Sequence, residues 1–298
     1  MKSRFFLYVS LGVDTLIALS KFTASFFTKS SSMIAEGIHS VIDAVSQLLL
    51  IWGVKTSKRK ADEERPFGYG RDLYFWSFIV SLVIFSVGGC ISIYEGILNL
   101  KKTELEGSAG WSYTVLAIAF AFNLISMFSA LKAFKKQWKH EGFWKSVIRT
   151  KDPPTIIVLL GDFGDLVGLV IAFFGIYLSR LYHKPYYDAI ASIIIGSVLV
   201  VISAILINVS QRLLVGTTTS RKNLKEVVRL AEEDEAVEKI KKHFSTYLSP
   251  EEIILQLNTV FRKDLDTADI TDAIARITKK IQEEFPFIKQ IFIMPVTK

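Results

Sequence analysis

Six stretches of this chain are each about 20 residues long and almost wholly apolar, and they limit the folds open to it. They run roughly over Phe5–Phe27, Ser32–Val54, Tyr74–Leu98, Trp111–Phe134, Thr155–Leu181 and Tyr186–Val209. At 1.5 Å per residue, about 20 apolar residues cross the ~30 Å hydrocarbon core of a bilayer. Lipid offers no partner to backbone N–H and C=O groups, so spans of this kind must be helical. Half of the 298 residues are hydrophobic and the mean hydropathy is +0.36, which a water-soluble domain of this length does not show. The expectation is an all-α, six-helix transmembrane domain over residues 1–212. The opening "MKSRFFLYVSLGVD" is read as the first span and not as a cleavable leader, because Asp14 interrupts it and no small-residue cleavage site follows.

The net charge of +7 sits in loops beside the apolar stretches, not as a stripe on one soluble surface. This pattern belongs to membrane topology and argues against a nucleic-acid partner. One side carries Lys2 and Arg4, the run from Lys55 to Arg71, and the run from Lys132 to Lys151; the other has only Lys29, Lys101, Lys102, Arg180 and Lys184. By the positive-inside rule both termini face the cytoplasm, and in a prokaryote the membrane would be the cell (inner) membrane. The single Cys90 excludes an intrachain disulfide or a cysteine zinc cluster, and is expected to be a small buried hydrophobe.

After "QRLLVG" the composition becomes that of a soluble domain, over residues 213–298. Ser220 caps a predicted helix to Asp234, with apolar residues at Leu224, Val227, Val228 and Ala231. Strands are predicted over Val237–Leu248, Glu252–Phe261 and Ile288–Met294, with an amphipathic helix over Asp269–Glu284. The order αββαβ implies a two-layer α+β domain with helices on one face of a sheet.

Within the apolar stretches lie ionisable groups that membranes do not tolerate without a reason. Glu36, His39 and Asp43 share one face of the second span, since residues three and four apart on a helix are neighbours. Asp162 and Asp165 do the same in the fifth, in "VLLGDFGDLVG". An Asp at a helix centre costs about 2.5–3.5 kcal/mol on insertion scales, so such groups need partners. Imidazole with carboxylates suits Zn²⁺, Mn²⁺, Fe²⁺ or Co²⁺ better than soft Cu⁺. His39 is the residue type that exchanges metal for proton near neutral pH. Asp14 and Asn123 are polar groups at depth, read either as orienting partners of the ligands or as helix-packing polarity.

Taken together, "SKFTASFFTKSSSMIAEGIHSVIDAVSQ", "RPFGYGRDLYFWSF", "FSVGGCISIYEGI", "YYDAIASIIIGSVLV" and "QRLLVG" resemble the cation diffusion facilitator (cation efflux) family of divalent-metal/proton antiporters. The resemblance implies six spans, a ferredoxin-like cytoplasmic domain, a homodimer, and transport driven by the proton gradient. It places His39 and Asp43 as the second-span metal ligands and Asp162 as a fifth-span ligand. The family's fifth-span histidine falls at Val158, which cannot ligate. A branch with Glu-Asp at this point would have its Glu at Gly161, so either Asp165 is the fourth ligand or water fills the position. The family's loop metal site, Asp-x-x-His-x-x-x-His, reads Asp62, Arg65 and Tyr69 here, and no metal is expected there. The many histidines of some relatives' cytoplasmic domains reduce to His243, near Asp264, Asp266 and Asp269, for which a solvated acidic turn is the plainer reading. Arg71 stands where relatives pair a Lys with an acid, and the facing "TTTSRK" carries no acid.

The expected function is therefore export of a divalent transition-metal cation, Zn²⁺ favoured, in exchange for protons. The metal is substrate, not cofactor, and the chain is not expected to be an enzyme. Two other readings stay open. A metal-responsive membrane scaffold with a degenerate site fits the loss at Val158. An intramembrane metal hydrolase would use the same ligands to activate water, but no H-E-x-x-H helix or added general base is readable.

Overall fold

A computed structural model describes residues 5–28, 31–101, 109–135 and 142–297, without the side chains of 21, 24–39, 109 and 111–112. The chain divides into two units: Met1–Thr56 with Asp72–Gln211, and Ser57–Arg71 with Arg212–Lys298.

Among its described residues the first unit is built from helices. Helix α1 covers Phe5–Thr28 and α2 Ser31–Thr56; α3 (Asp72–Val83), a π-helical segment (Ile84–Ile91) and α4 (Ser92–Asn99) form one continuous rod. Then follow α5 (Ala109–Lys135), the short α6 (Phe143–Arg149), α7 (Pro153–Leu181) and α8 (Tyr186–Val215). Among the described residues four helical stretches are long and apolar enough to cross a membrane: Asp72–Asn99, Tyr113–Lys135, Pro153–Leu181 and Tyr186–Val215. Leu16, Phe128, Phe174 and Val201 are among the many large apolar side chains on the outer surface of the unit. In water that would be costly; against lipid tails it is the favourable arrangement. The chain is a multi-pass membrane protein.

Small residues let these helices approach closely, as in other membrane bundles. A Cβ on Gly89 would fall 2.7 Å from Val200, and one on Gly196 would fall 2.8 Å from the Gly89 carbonyl oxygen. Gly96 meets the Ala189 carbonyl oxygen in the same way. The rod formed by α3 and α4 is thereby locked to α8. The prolines at the start of α7 occupy the first turn, where the missing N–H costs nothing.

The third span is helical over Asp72–Asn99, and within it Ile84–Ile91 is wound as a π-helix, which the apolar run does not signal. One expectation needs correction here. Cys90, within that segment, is exposed and not buried. It points outward because Gly88 and Gly89 occupy the inner face, and a thiol is apolar enough for a surface that lipid covers.

The second unit is a small α+β domain. Helix α9 (Arg221–Glu232) starts at Ser220, whose hydroxyl accepts from the Asn223 N–H at 3.1 Å. Strands β1 (Val237–Ser249), β2 (Glu252–Phe261) and β3 (Ile288–Pro295) form a sheet in the order β1-β2-β3, antiparallel between the first pair and parallel between the second. Helix α10 (Thr267–Glu284) makes the crossover between β2 and β3. The alternation in β2 sends Ile253, Leu255 and Leu257 into a core with Leu224, Val227 and Leu230 of α9 and Ala273, Ile277 and Ile281 of α10. The loop Ser57–Arg71 belongs to this unit: Phe67 stacks edge-on against Phe292, and Gly70 lies so close to the Leu248 carbonyl that a Cβ would come within 2.8 Å of it.

Candidate functional site

Inside the helical unit is a cavity of about 50 Å³, room for a few waters or an ion with part of its shell. Its wall includes Asp43 of α2 and Asp162 and Asp165 of α7. Three of the four sequence-predicted ligands therefore face one space, brought there by two helices far apart in sequence. The side chains of His39 and Glu36 lie outside the described residues. On the helical backbone of α2, position 39 is one turn before Asp43.

The spacing of the two aspartates on α7 gives them different surroundings. Asp162 is buried at 4% exposure, and its Oδ2 has no hydrogen-bond partner. Ser126 of α5 and the carboxylates of Asp43 and Asp165 lie around it. Asp165, three residues on, is only partly buried, as is Asp43. Among the described residues, no lysine or arginine lines the cavity. Nor do any three His, Cys, Asp or Glu side chains converge tightly enough to hold one ion.

The two positions at which the family resemblance expects a fifth-span ligand also border this space. Val158 is buried and lines the cavity, and so does Gly161. A Cβ on Gly161 would meet nothing within 4 Å, so this position has open space before it.

The cavity also holds residues that sequence reasoning undervalued. Asp14 of α1 lines it, 6% exposed, and so do Ser46 and Gln47 of α2. Extending the four-residue step from His39 through Asp43 reaches Gln47, so the helical period was the signal for it. Asn123 is buried on α5 but does not line the cavity.

The loop without histidines holds a different structure. Asp62 accepts from the Tyr69 hydroxyl at 2.7 Å and from the Arg65 N–H at 2.9 Å. The guanidiniums of Arg59 and Arg65 lie 4.2 and 4.4 Å from the Tyr69 ring centre. The Tyr69 hydrogen bond, with help from the Arg65 N–H, holds the Asp62 carboxyl below its ordinary range. In the second unit Asp266 and Asp269 form a capping box at the start of α10, and Asp264 pairs with Arg262 at 2.6 Å. His243 lies on β1 and pairs across the sheet with Leu257.

Comparison with known proteins agrees with this architecture. Residues 7–215 match the cation efflux transmembrane domain. Over 78% of its length the chain is 30% identical to a proton-coupled mitochondrial zinc antiporter of Mus musculus, and 28% identical to a metal tolerance protein of Arabidopsis thaliana. It spans only 41% and 51% of the length of these two relatives. The manganese efflux system protein MneP of Bacillus subtilis is 24% identical over 96% of this chain and 93% of its own. With a family match that runs from α1 to the end of α8, this chain belongs to the cation efflux, or cation diffusion facilitator, family.

Proposed function

We propose that this protein is a secondary active transporter that exports a divalent transition-metal cation from the cytoplasm in exchange for protons. Zn²⁺ is the favoured substrate, with Mn²⁺, Fe²⁺ and Co²⁺ also suited to the ligand types. The observation that carries this reading is the cavity inside the helical unit, faced by Asp43 from α2 and by Asp162 and Asp165 from α7. His39, Asp43, Asp162 and Asp165 are the proposed ligands, with His39 one turn along α2 from Asp43. A dication balances Asp43 and Asp162 beside a neutral imidazole, with Asp165 leaving one excess anion, and protons balance the carboxylates when the ion leaves. Cation and protons thus exclude one another, which is the coupling an antiporter needs.

In this reading α1 and α2 join the four longer apolar stretches to make six spans, with both termini in the cytoplasm. The C-terminal unit adopts a ferredoxin-like fold and forms the homodimer. The relatives described as a proton-coupled zinc antiporter and a manganese efflux protein support the transport class and leave the metal open.

The test is flux of Zn²⁺, Mn²⁺, Fe²⁺ and Co²⁺ in proteoliposomes with a pH gradient. Zn²⁺ movement against proton movement, lost in Asp43→Ala, is the expected result. Metal binding with no flux of any ion would replace the transporter with a metal-responsive scaffold.

A further inference from the structure

One wall of the cavity is not accounted for by the four proposed ligands. It consists of Asp14 on α1 and Ser46 and Gln47 on α2, all at most 9% exposed. The Gln47 Oε1 and the Ser46 Oγ are buried with no hydrogen-bond partner. An amide carbonyl shut away from water and left without a donor is costly, and its persistence calls for a ligand. A donor side chain would have met that need, yet among the described residues the cavity is lined by no lysine or arginine. What these atoms offer is lone pairs: a carboxylate, an amide oxygen and a hydroxyl.

We infer that Asp14, Ser46 and Gln47 form a second, oxygen-only cation station in the same cavity, which takes a partly hydrated hard divalent ion such as Mn²⁺. Carboxylate, carbonyl and water oxygens suit Mn²⁺, whereas the imidazole of the His39 set favours Zn²⁺. The cavity volume leaves space for waters to complete the coordination. Gln47 lies one helical turn beyond Asp43, so an ion passes between the two stations without leaving the α2 face. The station deepens the transport reading by giving this chain a means to select between metals. It also predicts binding that is measurable without flux.

The experiment is equilibrium binding of Mn²⁺ and Zn²⁺ to the purified full-length protein. Bound Mn²⁺ is read from the loss of the free-ion paramagnetic resonance signal. Gln47→Leu removes the oxygen at nearly constant volume and lowers the ratio of Mn²⁺ to Zn²⁺ affinity by on the order of tenfold, the scale on which metal sites respond to lost supporting groups. Gln47→Glu retains an oxygen and keeps Mn²⁺ binding. An unchanged ratio in Gln47→Leu overturns the station, as does equal loss of both metals in both variants, which would make Gln47 a packing residue only. A wild-type protein that binds no Mn²⁺ overturns it as well. If the wild type binds Mn²⁺ with the expected response to Gln47→Leu but moves no metal across the vesicle, the station stands and the transport proposal falls.

Discussion

The two units of this molecule use the same acidic side chains in opposite ways. In the C-terminal unit several acids have basic or backbone partners. Asp234 bonds Arg276 at 3.0 Å, Glu233 pairs with Arg229 and Lys280, and Asp266 and Asp269 cap α10. In the helical unit Asp162 is buried with an oxygen that has no partner, in a cavity that Asp14, Asp43 and Asp165 also line. Partnered acids on a wet surface hold a fold together at little cost. Acids sunk in an apolar bundle are tolerated where a mobile cation or proton completes them. The contrast sets carboxylates that build the fold apart from those proposed to bind the ion.

The strongest way to break this contrast is to remove one acid of each kind. Asp162→Ala should lower metal flux by on the order of 100-fold or more while leaving the protein folded, since loss of this proposed ligand should exceed the 10–100-fold typical of supporting groups. Asp264→Ala in the second unit should leave flux near wild type, and comparable losses in both would erase the distinction.

A gain of function sharpens it next. Gly161 faces open space in the cavity, so Gly161→Glu has room to add a ligand and should tighten Zn²⁺ binding roughly tenfold, within the range that metal sites show when supporting groups change. Val158→His should act in the same direction from a buried position on the same wall. Unchanged Zn²⁺ affinity in both, by titration calorimetry, would place the ion elsewhere.

On the structural side, Asp266→Ala removes the capping box of α10. The expected cost is about 1 kcal/mol, seen as faster hydrogen exchange in that helix with flux unaltered. The smallest effect is one of pH. The Arg276 hydrogen bond holds the Asp234 carboxyl below its ordinary range. A depressed folded pKa contributes stability above the unfolded value and loses it as pH falls through the folded value. Arg276→Met should therefore destabilise the C-terminal unit at neutral pH and converge with wild type in strong acid. A difference in melting that stays constant into acid would show that the pair contributes nothing.

Much of this was legible in the chain alone because it rests on local periodicity. The strands at Val237, Glu252 and Ile288 begin where alternation and turn residues place them, and the Ser220 cap opens α9 as its position predicts. The acidic pair on α7 and Asp43 on α2 were visible as charges in apolar runs. The approach to α10 was legible in outline: a solvated acidic turn was the plainer reading of Asp264, Asp266 and Asp269, and hydrogen-bond geometry shows two of them occupied with backbone N–H groups. Gln47 escaped notice because an uncharged amide in a membrane helix raises no alarm in a hydropathy profile.

The sequence by itself determined the number of long apolar stretches, the α+β order of the tail and the residues able to ligate, since each depends on neighbours within one helical turn or one strand. Only the tertiary structure decided that Asp14, Gln47 and the α7 aspartates share a cavity, that Val158 and Gly161 face it, and that Cys90 does not lie inside. It also wound Ile84–Ile91 as a π-helix and put the Ser57–Arg71 loop with the C-terminal unit. Those outcomes follow from contacts between helices distant in the chain. Side-chain volume and close approach at glycine set them, and neither leaves a periodic trace.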